Sequence, residues 1–128
     1  MQQKQTKKRI VFAAMSRENF CWREHIIKHI LEQGHTPLSA FMMFSYFLLD
    51  TVDRAALIEA NNDLVRLADE LCVFGRLSGG VKAEIAVAKE RNIPIRYFRI
   101  ADVPETAGGL IDMLTLAERV QEISEAEA

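Results

Sequence analysis

The chain has 128 residues, 49% of them hydrophobic, and a formal net charge of −2. That is enough apolar material for one domain with a core and too little length for two, and the near-balanced charge offers no broad basic surface for nucleic-acid phosphates. Its two cysteines, Cys21 and Cys72, lack CxxC spacing and fit thiols in a reducing cytoplasm rather than a disulfide framework.

Residues 1–8, MQQKQTKK, read as a polar, disordered tail. They lack the apolar core of a signal peptide and the arginines and serines of a transit peptide, so a cytoplasmic location is expected. RIVFAA, residues 9–14, has the β-branched and aromatic content of a buried strand. A helix is predicted over residues 19–33, where Phe20, Ile26, Ile27, Ile30 and Leu31 recur at helical spacing and Gly34 closes it. Cys21, His25 and His29 form an i, i+4, i+8 stripe on that helix. The wheel sets them opposite Phe20, Ile27 and Leu31 and beside Lys28 and Glu32, so they are assigned to the solvated face rather than to a metal site. Trp22 is read as a core or interface residue.

HTPLSAF, residues 35–41, predicts a short second strand that Pro37 keeps near an edge. The apolar run over residues 38–49, LSAFMMFSYFLL, is shorter than the roughly 20 residues of a membrane span, so no membrane partner is expected. It reads as a buried or interface helix, or as a wall over a ligand pocket. A further helix is predicted over residues 53–68 on the apolar face Ala56, Leu57, Ala60, Leu64 and Leu67. ELCVFG then gives a third strand, residues 80–92 a helix and IPIRYFRI a fourth strand. Leu110, Leu114, Ala117 and Val120 predict a final helix over residues 110–123.

This alternation predicts an α/β fold: a flavodoxin- or Rossmann-like three-layer sandwich with a mostly parallel sheet of four or five strands, in one domain over residues 9–126. Such sheets bind ligands outside the carboxyl ends of their strands. The loops to watch are therefore AMSREN, the loop after HTPLSAF, and GRLSGG. In the last, Ser78, Gly79 and Gly80 place small residues and free N–H groups at a helix start, suited either to an anion or simply to capping. On a wheel through the following helix, Glu84 falls between Val87 and Ala88 on the inward flank, while Lys82 and Lys89 fall outside. Near the helix start, the dipole is expected to keep its carboxylate ionised. It reads either as a nucleophile in a partly apolar cleft or as a rim residue that reaches water or Arg76.

VFAAMSR, NNDLVRLADELCVF and SGGVKAEIAVA together resemble the nucleoside 2-deoxyribosyltransferase family and its relatives that hydrolyse deoxynucleotide N-glycosidic bonds. The resemblance spans roughly residues 9–98. It implies that Glu84 attacks the anomeric carbon and forms a glycosyl-enzyme that water or a second base resolves. Asp63 resembles the family's second carboxylate, with Asn62 or Asn61 in its place if the register differs by a residue. Ser78, Gly79 and Gly80 then hold a hydroxymethyl or 5′-phosphate group, and Ser16 and Arg17 line the opposite side. Arg17 and Arg76 are the cations in these loops that a phosphate meets. Asp69 reads as structural. The chain departs from the family in two places: Val11 and Phe12 stand where better known members carry a tyrosine, leaving Tyr46 as the candidate hydroxyl, and Ala13 and Ala14 stand where many carry glycine. The resemblance implies a small-molecule nucleoside or nucleotide as substrate and a homodimer or higher homo-oligomer. No cofactor and no metal are called for. Two other readings stand beside this one, a nucleotide-binding module without turnover and a TIR-like NAD glycohydrolase.

Overall fold

The computed structural model describes residues 7–44, 51–100 and 120–128. Strand β1 (Ile10–Met15) leads through a 3-10 segment (Arg17–Trp22) into helix α1 (Arg23–Glu32) and strand β2 (Thr36–Leu38). Helices α2 (Ala40–Phe44) and α3 (Arg54–Leu67) follow, then β3 (Glu70–Phe74), α4 (Gly79–Glu90), β4 (Ile95–Ile100) and β5 (Val120–Ile123). The five strands form one sheet in the order β2-β1-β3-β4-β5. The first four run parallel, and β5 is antiparallel to β4. Because the chain leaves β1 for β2 on one side and returns past it to β3, the connections diverge between β1 and β3, the switch point where this topology opens a crevice at the carboxyl ends.

Burial on both sides explains why β1 and β3 read as continuous apolar runs rather than as alternating ones. Phe12, Ala14, Leu71, Val73 and Tyr97 face a core completed by Val65 and Ala68 at the end of α3 and by Val81, Ile85 and Ala88 of α4. Val11, Ala13, Met15, Cys72, Phe74 and Phe98 face the opposite core, completed by Ile26 and Ile30 of α1. These two apolar layers are the main source of stability. Each large side chain taken wholly from water, such as Phe12 or Phe74, contributes about 1.5–3 kcal/mol.

Two expectations are corrected here. Val120 belongs to a strand rather than a final helix, held at the sheet edge by the pairing of residues 120–123 with β4. Leu110, Leu114 and Ala117 lie outside the described residues. The histidine stripe of α1 is also not on the solvated face. His25 is buried with Ile26 and Ile30, and Leu31 is exposed instead. His29 meets Phe74 and Phe98 edge to face, at centroid distances of 6.1 and 5.4 Å. The buried arc of the helix is centred on Ile26 and Ile30, because the stacked pair Phe74 and Phe98 on the sheet gives the His29 ring an aromatic surface to cover. Burial, and then the charge of Arg96, lower the His29 pKa.

The amino end of the sheet is tied by polar contacts. Asp69 Oδ2 accepts from the Ile10 N–H at 2.8 Å, and the Asp69 N–H donates back to the Ile10 carbonyl at 2.8 Å, which fits its reading as structural. Beside it, Glu70 is wholly buried. Its carboxylate accepts from Arg9 Nη1 at 2.8 Å, Arg96 Nη1 at 3.3 Å and Cys72 Sγ at 3.3 Å. Arg96 also grips both oxygens of Glu122 on β5, at 3.0 and 2.6 Å. Burial pushes the Glu70 carboxyl up, but the bonds from Arg9 and Cys72 and the charge of Arg96 outweigh it and hold the group below its ordinary value. Burial, with Glu70 next to it, raises the Cys72 thiol.

Candidate functional site

Two loops meet at the carboxyl ends of β1 and β3. Asn19, in the segment after β1, donates from Nδ2 to the Phe74 carbonyl at 3.2 Å and so clamps the end of β3. Gly75 follows with φ +80°, and a side chain there would collide with the Asn19 amide. Both the left-handed backbone and the close approach of Asn19 demand glycine. Glu18 and Arg76 form an exposed ion pair of 2.6 Å between the two loops. The reading of Arg76 as a partner for Glu84 is replaced by this contact.

Helix α4 starts where GRLSGG ends. Ser78 is its N-cap, its Oγ accepting from the Val81 N–H at 3.3 Å, so the capping reading of that serine is realised and its hydroxyl proton stays available to a second acceptor. Gly79 and Gly80 are exposed, adopt no positive φ and have open space where a Cβ would stand. Neither a positive φ nor close packing requires glycine at these two positions. A bare helix start is what these residues provide, with N–H groups reachable by a ligand.

Glu84 lies five residues further along, about 7–8 Å up the helix axis. Val81, Ile85 and Ala88 bury the inner face of α4, and the neighbouring Glu84 is turned toward α3, where its Oε2 accepts from Asn61 Nδ2 at 2.7 Å. It is half-buried. Burial raises its pKa from 4.5 to about 7, against the opposing effect of the Asn61 bond. The expectation of a dipole-stabilised carboxylate is thus corrected. Since α4 begins at Gly79, Glu84 stands beyond the first turn, whose free N–H groups it does not reach, and desolvation dominates.

Asn61 is the α3 residue that meets Glu84. Asp63, two residues on, is rotated by about 200° around the helix. Its side chain is 64% exposed and pairs with Arg66 at 3.0 Å. Asn62 is half-buried between them in sequence. Ser16 follows β1 and is buried, and Arg17 beside it is exposed, both at the same sheet end as the start of α4. Tyr46 lies outside the described residues. His25 and Ser39, which carried no weight in the sequence reading as ligand contacts, are buried as well.

A family model described as a domain of unknown function (DUF7768) matches residues 11–98. No curated protein matches the sequence. Among solved structures, the chain is similar to a 2-deoxyribosyltransferase from the psychrotolerant bacterium Bacillus psychrosaccharolyticus, described as a biocatalyst for nucleoside synthesis. The TM-score is 0.55 at 16% identity, over 86% of this chain and 81% of that one. At that identity the likeness is one of fold, and it covers the five-stranded α/β sheet described above. Among the described residues, no helix is long and apolar enough to cross a membrane.

Proposed function

This chain belongs to the DUF7768 family, and we propose that it cleaves or transfers at the N-glycosidic bond of a nucleoside or nucleotide, with Glu84 as the nucleophile. The observation that carries this reading is the Glu84–Asn61 pair: a half-buried carboxyl, held by a single amide at 2.7 Å and poised to titrate at about 7. A group that burial makes reluctant to stay charged gains by bonding to an electrophilic carbon. Similarity of fold to a 2-deoxyribosyltransferase supports the same reaction class.

In the proposed reaction a Glu84 oxygen bonds to the anomeric carbon while the carbon–nitrogen bond to the base breaks. The bonding pair leaves with the base, which takes up a proton. The glycosyl ester is then attacked by water or by the nitrogen of a second base, releasing the Glu84 carboxylate and retaining configuration over the two displacements. Asn61 orients the attacking carboxylate through its amide N–H. The bare N–H groups at Gly79 and Gly80, with the Ser78 hydroxyl, lie about 6–9 Å from Glu84 along the axis of α4 and receive the 5′ substituent, with Ser16 and Arg17 opposite. The exposed apolar side chains of Met42, Met43 and Ile58 on α2 and α3 support a homo-oligomer as part of this proposal.

Incubation of the protein with deoxynucleosides and their monophosphates, with and without a free base, followed by chromatography, tests the reaction. Base release that drops by on the order of a thousandfold in Glu84→Gln is the expected result. Tight binding without release in the unmodified protein makes the cleft a binding module instead, and cleavage confined to NAD makes it an NAD glycohydrolase.

A further inference from the structure

The carboxyl end of β3 is held from both sides through one peptide group. The Phe74 carbonyl accepts from Asn19 Nδ2 at 3.2 Å on the side of β1, and the Gly75 N–H donates to the Phe98 carbonyl at 3.0 Å on the side of β4. β1 and β3 stay in register as far as Met15 and Phe74, and then β1 leaves the sheet. There the Asn19 N–H donates to the Ser16 carbonyl at 3.0 Å, the turn that opens the 3-10 segment. The Asn19 side chain thus supplies the donor that the departing strand no longer offers to the carbonyl of the wholly buried Phe74.

The fit at this point is close and mutual. A Cβ on Gly75 would stand 2.3 Å from Asn19 Nδ2, so the approach of the amide excludes other residues even before the backbone does. Three residues later Ser78 caps α4. In between, the Ser78 N–H donates to the Arg76 carbonyl at 3.1 Å, and Leu77 packs on the core that Val81, Ile85 and Ala88 of α4 complete. So short and tight a connection carries the position of the pinned peptide directly into the first turn of the helix. The Glu18–Arg76 pair also joins the two loops, but an ion pair open to water on both partners fixes geometry weakly.

We propose that Asn19 is a positioning residue for the N-glycosidic reaction: its bond to the Phe74 carbonyl fixes the start of α4 against the loop after β1. This rests on the reading of the chain as an N-glycosidic enzyme. In that reading one substrate is gripped from two loops, by Ser16 and Arg17 after β1, and by Ser78, Gly79, Gly80 and Glu84 at and along α4. The chemistry therefore depends on a spatial relation that neither loop sets alone. Asn19 maintains it without touching the substrate. A shift of about 1 Å in a reacting group is enough to cost about a hundredfold in rate, so the pin matters more to turnover than its single bond matters to the fold. Being uncharged, the amide holds the loops together without adding a charge near Glu84, whose titration is governed by burial and by Asn61.

The test compares steady-state base release from the preferred deoxynucleoside or monophosphate in the parent, Asn19→Ala and Asn19→Asp. The aspartate keeps the side-chain volume against Gly75 and removes the donor. In both variants KM is expected to rise by about tenfold and kcat to fall by about ten- to a hundredfold, with the acidic limb of the pH profile near 7 unmoved because the Glu84–Asn61 bond is untouched. Loss of folded protein lowers kcat and leaves KM alone, so the rise in KM marks positioning, and near-ultraviolet circular dichroism gives the folded fraction. A KM within about twofold of the parent's in the folded variants overturns the proposal, as does an acidic limb that moves with the substitution. Failure of both variants to fold makes the role one of stability and overturns it too. Glu18→Gln, which removes the exposed pair and keeps the amide, is expected to change KM by less than about threefold; a rise as large as that of Asn19→Ala overturns the amide as the tie. A parent that releases no base from any deoxynucleoside or monophosphate overturns the functional reading itself, and the positioning role with it.

Discussion

Glu70 and Glu84 are both glutamates withdrawn from bulk water in one small sheet protein, and their surroundings drive them in opposite directions. Glu70, at the amino end of β3, is wholly buried yet receives two guanidinium groups and a thiol, and its pKa falls. Glu84, on α4, is less deeply buried but has one neutral amide for company, and its pKa rises to about 7. Depth of burial does not decide the charge state; the number and charge of the donors do. The first arrangement is what a structural clamp needs, the second what a nucleophile needs.

The largest effect that separates them comes from removing the cations. Arg9→Met with Arg96→Met keeps the side-chain stems but leaves Glu70 buried and unpaired, and is expected to cost about 3–5 kcal/mol in urea unfolding. A double variant that loses less than about 1 kcal/mol would show that Glu70 finds water or other donors. The analogous removal at Glu84 goes the other way. Its folded pKa of about 7 lies above the ordinary 4.5, so between those values the folded chain holds more protons than the unfolded one, and stability falls as pH rises through that window. Glu84→Gln is therefore expected to be more stable than the parent by on the order of 1–3 kcal/mol at pH 8 and no more stable at pH 4, read as thermal melting across the pH series. Glu70, with its depressed pKa, contributes stability present above about 4.5 and lost as pH falls through its lower folded value. Acid thus removes the clamp while relieving Glu84.

A smaller effect tests the amide. Asn61→Leu deletes the bond that opposes the rise at Glu84. In the proposed reaction the parent's base release is expected to climb toward a plateau above about pH 7 as Glu84 ionises, and in Asn61→Leu that acidic limb is expected to move up by as much as about one pH unit. A limb that stays in place would detach Asn61 from the titration of Glu84.

The four parallel strands and the inward turn of Glu84 were legible because they depend on local patterns: β-branched runs such as the one that ends at Gly75, and a wheel on which the lysines fall opposite the glutamate. What eluded the sequence depends on how elements dock. Residues 120–123, VQEI, carry two polar residues at an edge and continue a helical spacing, and only the Arg96–Glu122 pair and the ladder to β4 make them a strand. His25 and His29 looked solvated because Lys28 and Glu32 flank them on the wheel. His25 is buried and His29 half-buried instead, the latter over the Phe74 and Phe98 rings of the sheet, which no helical wheel contains.

The run Asn61-Asn62-Asp63 shows the same limit at the scale of one residue, and it carries the smallest prediction. Chemistry points to Asp63, the carboxylate of the three, whereas the crossing of α3 over α4 sets which of them faces Glu84, and it selects Asn61. Asp63 is left on the solvent side in an i, i+3 pair with Arg66, a type of contact worth a few tenths of a kcal/mol. Asp63→Ala is accordingly expected to change stability by less than about 0.5 kcal/mol and base release by less than about twofold, beside the displaced pH limb of Asn61→Leu. If instead the alanine at 63 cuts turnover by tenfold while the pH limb stays fixed, the second group of the reaction is the aspartate, reaching the sugar from the outer face of α3, and the pairing of Glu84 with an amide is structural.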